Sequence, residues 1–153
     1  MIFKRRLEDF ELNLSNIELL PPLSYAAYLN AYRDIDVMLD TLPFSGGTTT
    51  AEALWMGVPT LTMSGNTLIA RQGASLMTAA GLPDWVAKSQ QEYVSKAMYL
   101  SEHLDDLAEL RAGLRQQVRV RPLFDGQRFA HRFTDAVESA YNAKLLLQPL
   151  RDI

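Results

Sequence analysis

Cysteine is absent from the 153 residues. That excludes a disulfide framework, a zinc–thiolate site, an iron–sulfur cluster and a cysteine nucleophile. Histidine is scarce: His103 and His131 are the only two, too few and too far apart in sequence for a histidine metal cluster. No apolar run approaches the ~18 residues that span a bilayer. The basic start, Met1-Ile2-Phe3-Lys4-Arg5-Arg6-Leu7-Glu8, is not followed by the apolar stretch of a signal peptide. Positive charge is not in surplus: 15 Lys and Arg face 18 Asp and Glu, a net charge of −3. Sequence-independent nucleic-acid binding needs a cationic footprint, so it is not expected. These absences predict a cytoplasmic chain with neither a nucleic-acid nor a membrane partner.

What is present is an ordinary globular composition. Apolar residues make up 48% and charged residues 22%, which rules out wholesale disorder. The length predicts one domain, able to bury roughly two thirds of its unfolded surface. There is no internal repeat and no low-complexity segment.

The pattern along the chain alternates between strands and helices. Residues 1–14 read as a helix, with Phe3, Leu7 and Phe10 on one face. Ile17–Leu20 is a short apolar run stopped by Pro21-Pro22 and reads as a strand. Ser24 can cap a helix from Tyr25 to about Arg33. Asp36–Asp40 reads as a second strand, and Phe44–Thr50 as a turn that opens a helix running to about Met56. Gly57-Val58-Pro59 stops that helix before a third strand, Thr60–Met63. A helix over Thr67–Ala80 comes next, closed by Gly81 and Pro83, then a short fourth strand at Trp85–Ala87. Helices over Ser89–Leu100, Leu104–Arg119 and Asp125–Leu147 complete the chain. The last carries Phe129, Phe133, Val137 and Tyr141 along one face. Near-continuous apolar strands between helices imply parallel pairing and an α/β fold. The chain opens on a helix with no strand before it. Two explanations stand: a later part of a larger domain cut just after its first strand, or a small α/β domain whose edge strand the pattern hides.

The segment with most chemical content is Gly46-Gly47-Thr48-Thr49-Thr50-Ala51-Glu52. It comes after a strand and opens a helix, and ligands of parallel sheets sit beyond the carboxyl ends of strands. A helix N-terminus offers free N–H groups and partial positive charge, which suit a phosphate. Two glycines let the backbone approach a ligand closely, and three hydroxyls add hydrogen bonds. Glu52 could accept bonds from a ribose diol, or it could be a capping carboxylate that needs no ligand. A polar helix cap after a tight turn is the competing explanation for the whole segment. No P-loop lysine is present, so Walker-type hydrolysis is not expected.

The block from Asp36 to Pro59, through Leu42-Pro43-Phe44-Ser45-Gly46-Gly47-Thr48-Thr49-Thr50-Ala51-Glu52-Ala53-Leu54-Trp55-Met56-Gly57, closely resembles the protein O-linked N-acetylglucosamine transferases, in their bacterial SPINDLY-like branch. Thr67–Leu76 resembles the family's arginine-containing helix. Ala80-Gly81-Leu82-Pro83, Glu92-Tyr93 and Pro122-Leu123-Phe124-Asp125 also match, so the resemblance spans about residues 17–141. It implies a Rossmann-like parallel sheet with flanking helices, the C-terminal half of a GT-B glycosyltransferase, truncated at its N-terminal strand. The chain, residues 1–153, would be a single partial nucleotide-sugar-binding domain with its final helix at about 125–147.

By the same resemblance, Gly46, Gly47, Thr48, Thr49 and Thr50 form the diphosphate-binding turn, and Glu52 binds the ribose where many members have Asp. Glycine at position 47 is usual for the bacterial branch, whereas animal-type members often carry His. Tyr28 stands where the family commonly stacks a His on the base, and the backbone near Pro22 and Leu23 would bond the base edge. Tyr25 replaces a Lys of animal-type members. The donor would be UDP-GlcNAc and the reaction metal-independent, with no cofactor, transferring the sugar with inversion to Ser or Thr hydroxyls. The catalytic half, the tetratricopeptide repeats and a nucleotide-contacting lysine would lie upstream, leaving no catalytic residue in this chain, little or no transferase activity of its own, and protein-acceptor contacts elsewhere. A GDP-fucose-type donor and a non-catalytic interaction module are the alternatives.

Other residues have plainer explanations. Asp34-Ile35-Asp36 has the spacing of a metal-binding Asp-x-Asp, but it precedes a strand and so lies at the sheet's other edge, with no metal site implied. Arg71 could reach a phosphate or form an ion pair. Trp55 and Met56 are expected in the core. His131 is expected at the surface and His103 at a helix end. Arg111, Arg115, Arg119 and Arg121 come after Asp105, Asp106 and Glu109, an order that suits the helix dipole and a solvated face. The apolar face of the last helix would be exposed, or buried in a homodimer.

Overall fold

The computed structural model describes residues 7, 9, 10 and 12–146, with backbone only at 145 and 146. Two compact units divide the chain, Met1–Ala31 and Tyr32–Ile153.

In the first unit, Leu7 and Asp9 are helical and Phe10 lies in a turn; Phe3 falls outside the described residues. A 3₁₀ turn at Leu14–Asn16 comes next, capped by the Asn13 side chain. Ile17–Leu20 is not a strand. Its apolar run has no ladder partner among the described residues, and a strand exists only through its pairing. Ser24 opens helix α1, Tyr25–Ala31. Its Oγ accepts the Ala27 N–H at 3.4 Å, and its carbonyl accepts the Tyr28 N–H at 2.8 Å.

The second unit holds a three-stranded parallel sheet in the order β1-β2-β3. The strands are β1 (Met38–Leu39), β2 (Thr60–Met63) and β3 (Val86–Ala87). Met38 pairs with Thr60, and Thr62 with Val86. The sheet thus has three strands rather than four. β2 is buried along most of its length, as expected of a central parallel strand covered on both faces.

Helix α2 (Thr48–Trp55) connects β1 to β2. Gly57 ends the connection at φ +81°, a conformation other residues adopt only with strain. The helix expected over Thr67–Ala80 starts later. A 3₁₀ turn covers Ile69–Arg71 and α3 runs from Gln72 to Ala79. Gly81, at φ +82°, closes it.

Helix α4 (Gln90–Glu102) begins with a reciprocal cap. Ser89 Oγ accepts the Glu92 N–H at 3.1 Å, while the Glu92 carboxylate accepts the Lys88 N–H at 2.9 Å. That bond, foremost, and Lys96 hold the Glu92 carboxyl below the usual range. Helix α5 (Leu104–Arg119) has Asp105 and Asp106 in its first turn and Arg119 in its last, matching the dipole. The last helix, α6, spans Gly126–Leu146; residue 147 lies outside the described residues. Among the described residues no helix is long and apolar enough to cross a membrane.

The core gathers Leu54 of α2, Met77 and Ala80 around α3, Leu82, and Leu114 and Val118 of α5, with Trp85, Val86, Leu123 and Phe124 packed against it. Full burial of Leu54 and Leu114 contributes about 2 kcal/mol each. Trp55 is half-buried, its ring 5.1 Å from that of Phe124, with the Arg115 guanidinium 4.8 Å above it. Arg115 and Arg119 are exposed on α5, and Arg111 is half-buried. Arg111 pairs with Asp36 at 2.7 Å and donates to the carbonyls of Tyr32 and Arg33. That fixes α5 to the lead-in of β1 and gives Asp36 a structural role. Phe129, Phe133, Val137 and Tyr141 are exposed on α6. His131 is exposed as well. His103 caps the C-terminus of α4, stacked on Tyr99 at 3.8 Å.

Candidate functional site

β1 ends at Leu39, and the next residue, Asp40, organises the loop that leads into α2. It is 7% exposed. Its Oδ1 accepts the N–H groups of Thr41 at 2.9 Å and Gly46 at 2.6 Å, and its Oδ2 accepts the Thr62 hydroxyl of β2 at 2.6 Å. One carboxylate thus folds residues 40–46 back on themselves and ties the loop to the central strand. The Leu42–Pro43 peptide within it is cis.

Ser45, fully buried, is the second clamp. Its hydroxyl donates to the Ile69 carbonyl at 2.8 Å and accepts the Gly73 N–H at 3.0 Å. The loop before α2 is thereby fastened to the start of α3. α2 begins beyond the carboxyl end of β1 and α3 beyond that of β2, and the first two amides of α3 are held by the Ile69 carbonyl and the Ser45 hydroxyl.

Gly47 is the N-cap of α2 and makes no side-chain cap. The first i→i−4 bond of the helix runs from the Ala51 N–H to the Gly47 carbonyl at 3.1 Å. The amides of Thr48, Thr49 and Thr50 precede it and have no intrahelical acceptor. Thr48 and Thr49 are exposed, and Thr50 is fully buried. The Thr50 hydroxyl has no hydrogen-bond partner. It lies against Gly46, 2.6 Å from where a Cβ on that residue would stand. Gly46 therefore serves the turn through its lack of a side chain, its own N–H being held by Asp40. The open donors are the backbone and hydroxyls of Thr48 and Thr49.

Glu52 is the fifth residue of α2 and half-buried. That is two residues past the position from which a carboxylate reaches back to cap a helix, so the capping explanation fails. Arg71 donates its Nε to the Gly65 carbonyl at 3.0 Å, and among the described residues no carboxylate pairs with it. Tyr28 and Leu23 belong to the first unit. There the rings of Tyr25 and Tyr28 lie 6.4 Å apart and Leu23 is exposed.

Asp40, Ser45, Gly73 and Tyr93 escaped the sequence reading as site residues. Asp40 had the clearest signal, an acid at the carboxyl end of a strand, just before a glycine turn. Tyr93 comes from α4, 53 positions away, and donates its phenol to the Asp40 carbonyl at 2.9 Å. Burial, aided by the Asp40 charge, pushes its pKa above the usual phenol value. The folded state thus holds the proton more tightly than the unfolded state. Stability should be full below about pH 10 and fall as the pH rises from there towards the folded pKa. Tyr93→Phe should cost about 1 kcal/mol at neutral pH and flatten that alkaline decline, read from urea midpoints across the range.

Residues 28–133 match the profile of glycosyl transferase family 41. The chain is 40% identical over 142 residues to a probable UDP-N-acetylglucosamine–peptide N-acetylglucosaminyltransferase SPINDLY of Hordeum vulgare, covering 92% of this chain and 15% of that protein. It is 40% identical over 100 residues to the UDP-N-acetylglucosamine–peptide N-acetylglucosaminyltransferase of Caenorhabditis elegans, covering 65% of this chain and 9% of that one. The structure of a mutant O-GlcNAc transferase from Thermobaculum terrenum superposes with a TM-score of 0.76 at 41% identity, over 92% of this chain and 26% of that one. The chain thus spans about 15% of the length of the SPINDLY relative and a quarter of the solved structure. A match over most of the chain, through β1, the glycine turn and α2, shows that it belongs to glycosyl transferase family 41.

Proposed function

We propose that this chain holds the diphosphate of a UDP-linked N-acetylglucosamine donor at the Gly46–Thr49 turn, as part of a transferase that glycosylates Ser or Thr hydroxyls of proteins. One observation carries the reading: the amides of the exposed residues Thr48 and Thr49 stand ahead of the first helical hydrogen bond, next to a loop locked by Asp40 and Ser45. The names of the relatives supply the donor and the acceptor class.

In the proposed reaction an acceptor hydroxyl oxygen attacks the sugar's anomeric carbon from the face opposite the diphosphate. The bond from that carbon to the phosphate oxygen breaks, and the diphosphate leaves with the electron pair. The configuration inverts. Charge grows on the leaving oxygen, and fixed N–H and O–H donors stabilise it without reorganising. Thr48 and Thr49 take that role. Glu52 takes the ribose. We place the base that receives the acceptor's proton outside this chain, which alone should bind donor without transferring sugar.

Titration with UDP should shift the backbone amides from Gly46 to Glu52. Replacing both Thr48 and Thr49 by Ala should weaken binding about tenfold or more, each lost hydrogen bond to a charged group being worth ~1.5 kcal/mol. Unchanged amides at millimolar UDP, in a folded sample, would reject the assignment. GDP run in parallel tests the fucose-donor alternative, which predicts tighter GDP than UDP. Partner binding that survives the double threonine change while UDP has no effect would favour a non-catalytic module.

A further inference from the structure

Gln72 is the first residue of α3, and Gly47 caps α2. Packing brings these two positions together. Gly73 sits so close to the Asp40 carboxylate and to Thr62 that a Cβ there has no room, and its amide is held by Ser45. The start of α3 is thereby pressed against the glycine turn. The Gln72 carboxamide then lies across Gly47, with its Nε2 in the space where a side chain at position 47 would begin. Gly47 and Gln72 share one volume. Gln72 also lines an open cavity of about 510 Å³ with Leu68, Ile69, Arg71 and Ser75. The neighbouring turn also contains the buried Thr50 hydroxyl, which has no hydrogen-bond partner.

We propose that Gln72 is a donor-positioning residue. Its Nε2 donates a hydrogen bond to a phosphate oxygen held at the α2 N-terminus, filling the place left by the missing side chain at 47. This rests on the diphosphate reading above. A carboxamide adds two N–H donors without adding charge, and its position is set by the rigid contact of α3 with the turn rather than by the turn's own sequence.

The test tracks the Gln72 side-chain amide pair and the backbone amides of residues 46–52 together by NMR, with UDP and with inorganic pyrophosphate as probes. Both sets should move over the same concentration range. Gln72→Ala should weaken UDP binding about tenfold, as expected for a lost hydrogen bond to a charged group, and Gln72→Glu should weaken it further by repulsion. Gly47→Ala should destabilise the otherwise unaltered chain and become nearly neutral in the Gln72→Ala background. If the backbone amides move while the Gln72 pair stays still, or if Gln72→Ala binds UDP like the unaltered chain, the contact is overturned and the diphosphate site stands. If neither set responds to either probe, both readings fall. Equal cost of Gly47→Ala in the two backgrounds would overturn the shared volume.

Discussion

Asp40→Ala is expected to cost about 3 kcal/mol of stability and to abolish the response of residues 46–52 to UDP. The side chain is buried and accepts three hydrogen bonds, from the Thr41 and Gly46 amides and the Thr62 hydroxyl. Bonds to a charged acceptor contribute more than neutral ones, and truncation leaves three donors without their partner in a place water reaches poorly. Alanine also releases the side-chain tie from the loop to β2. The angle at which Gly46 hands the chain to α2 is then no longer held by that tie. Asp40→Asn keeps one acceptor oxygen and loses the charge, so it should fall about midway. Urea denaturation gives the stability, and amide shifts give the site. An Asp40→Ala chain within about 1 kcal/mol of the original, with an intact UDP response, would remove Asp40 from its organising role.

Gly73→Ala is the second large effect, and the sign is decided by space rather than by helix propensity. Alanine is favoured over glycine inside a helix by about 1 kcal/mol. At Gly73, however, a Cβ would overlap the Asp40 carboxylate and stand 2.5 Å from Thr62 Oγ1 and 3.3 Å from Ser45 Cβ. The carboxylate is held by its own hydrogen bonds, so it cannot swing aside cheaply. Overpacking should win, giving a net loss of about 2–3 kcal/mol and a displaced α3. Gly113, within α5, is the control. A Cβ there meets nothing within 4 Å, so Gly113→Ala should stabilise by up to about 1 kcal/mol. Thermal or urea unfolding of the two variants side by side reads both signs. Opposite changes of that kind cannot come from glycine content alone.

These two sets of residues differ in how plainly a sequence displays them. The glycine turn is legible because its residue types are unusual as a run, and because they stand between a strand pattern and a helix pattern. Helices α4 and α5 are legible from their caps and periodicity: Ser89 with Glu92, Asp105 and Asp106 with Arg119, and Leu107, Leu110 and Leu114 on one face. β2 is legible as a short run of threonines alternating with Leu61 and Met63, between Pro59 and Ser64. Ile17–Leu20 misleads, because an apolar run between polar stretches looks like a strand whether or not a partner exists to pair with it. The Arg111–Asp36 pair misleads in the other direction, since its partners lie 75 positions apart.

Local chemistry by itself determined where the chain turns, which segments coil and where a helix begins with open amides after two glycines. These features arise from interactions within a few residues, and side-chain types alone carry them. Tertiary structure alone decided which groups serve that helix end. Asp40 and Tyr93, Ser45 and Gly73, and Gly47 and Gln72 become neighbours only when parallel strands bring the starts of α2 and α3 to one edge of the sheet. Parallel pairing is a non-local choice, with each contact closing a long loop, so no window of sequence contains both partners.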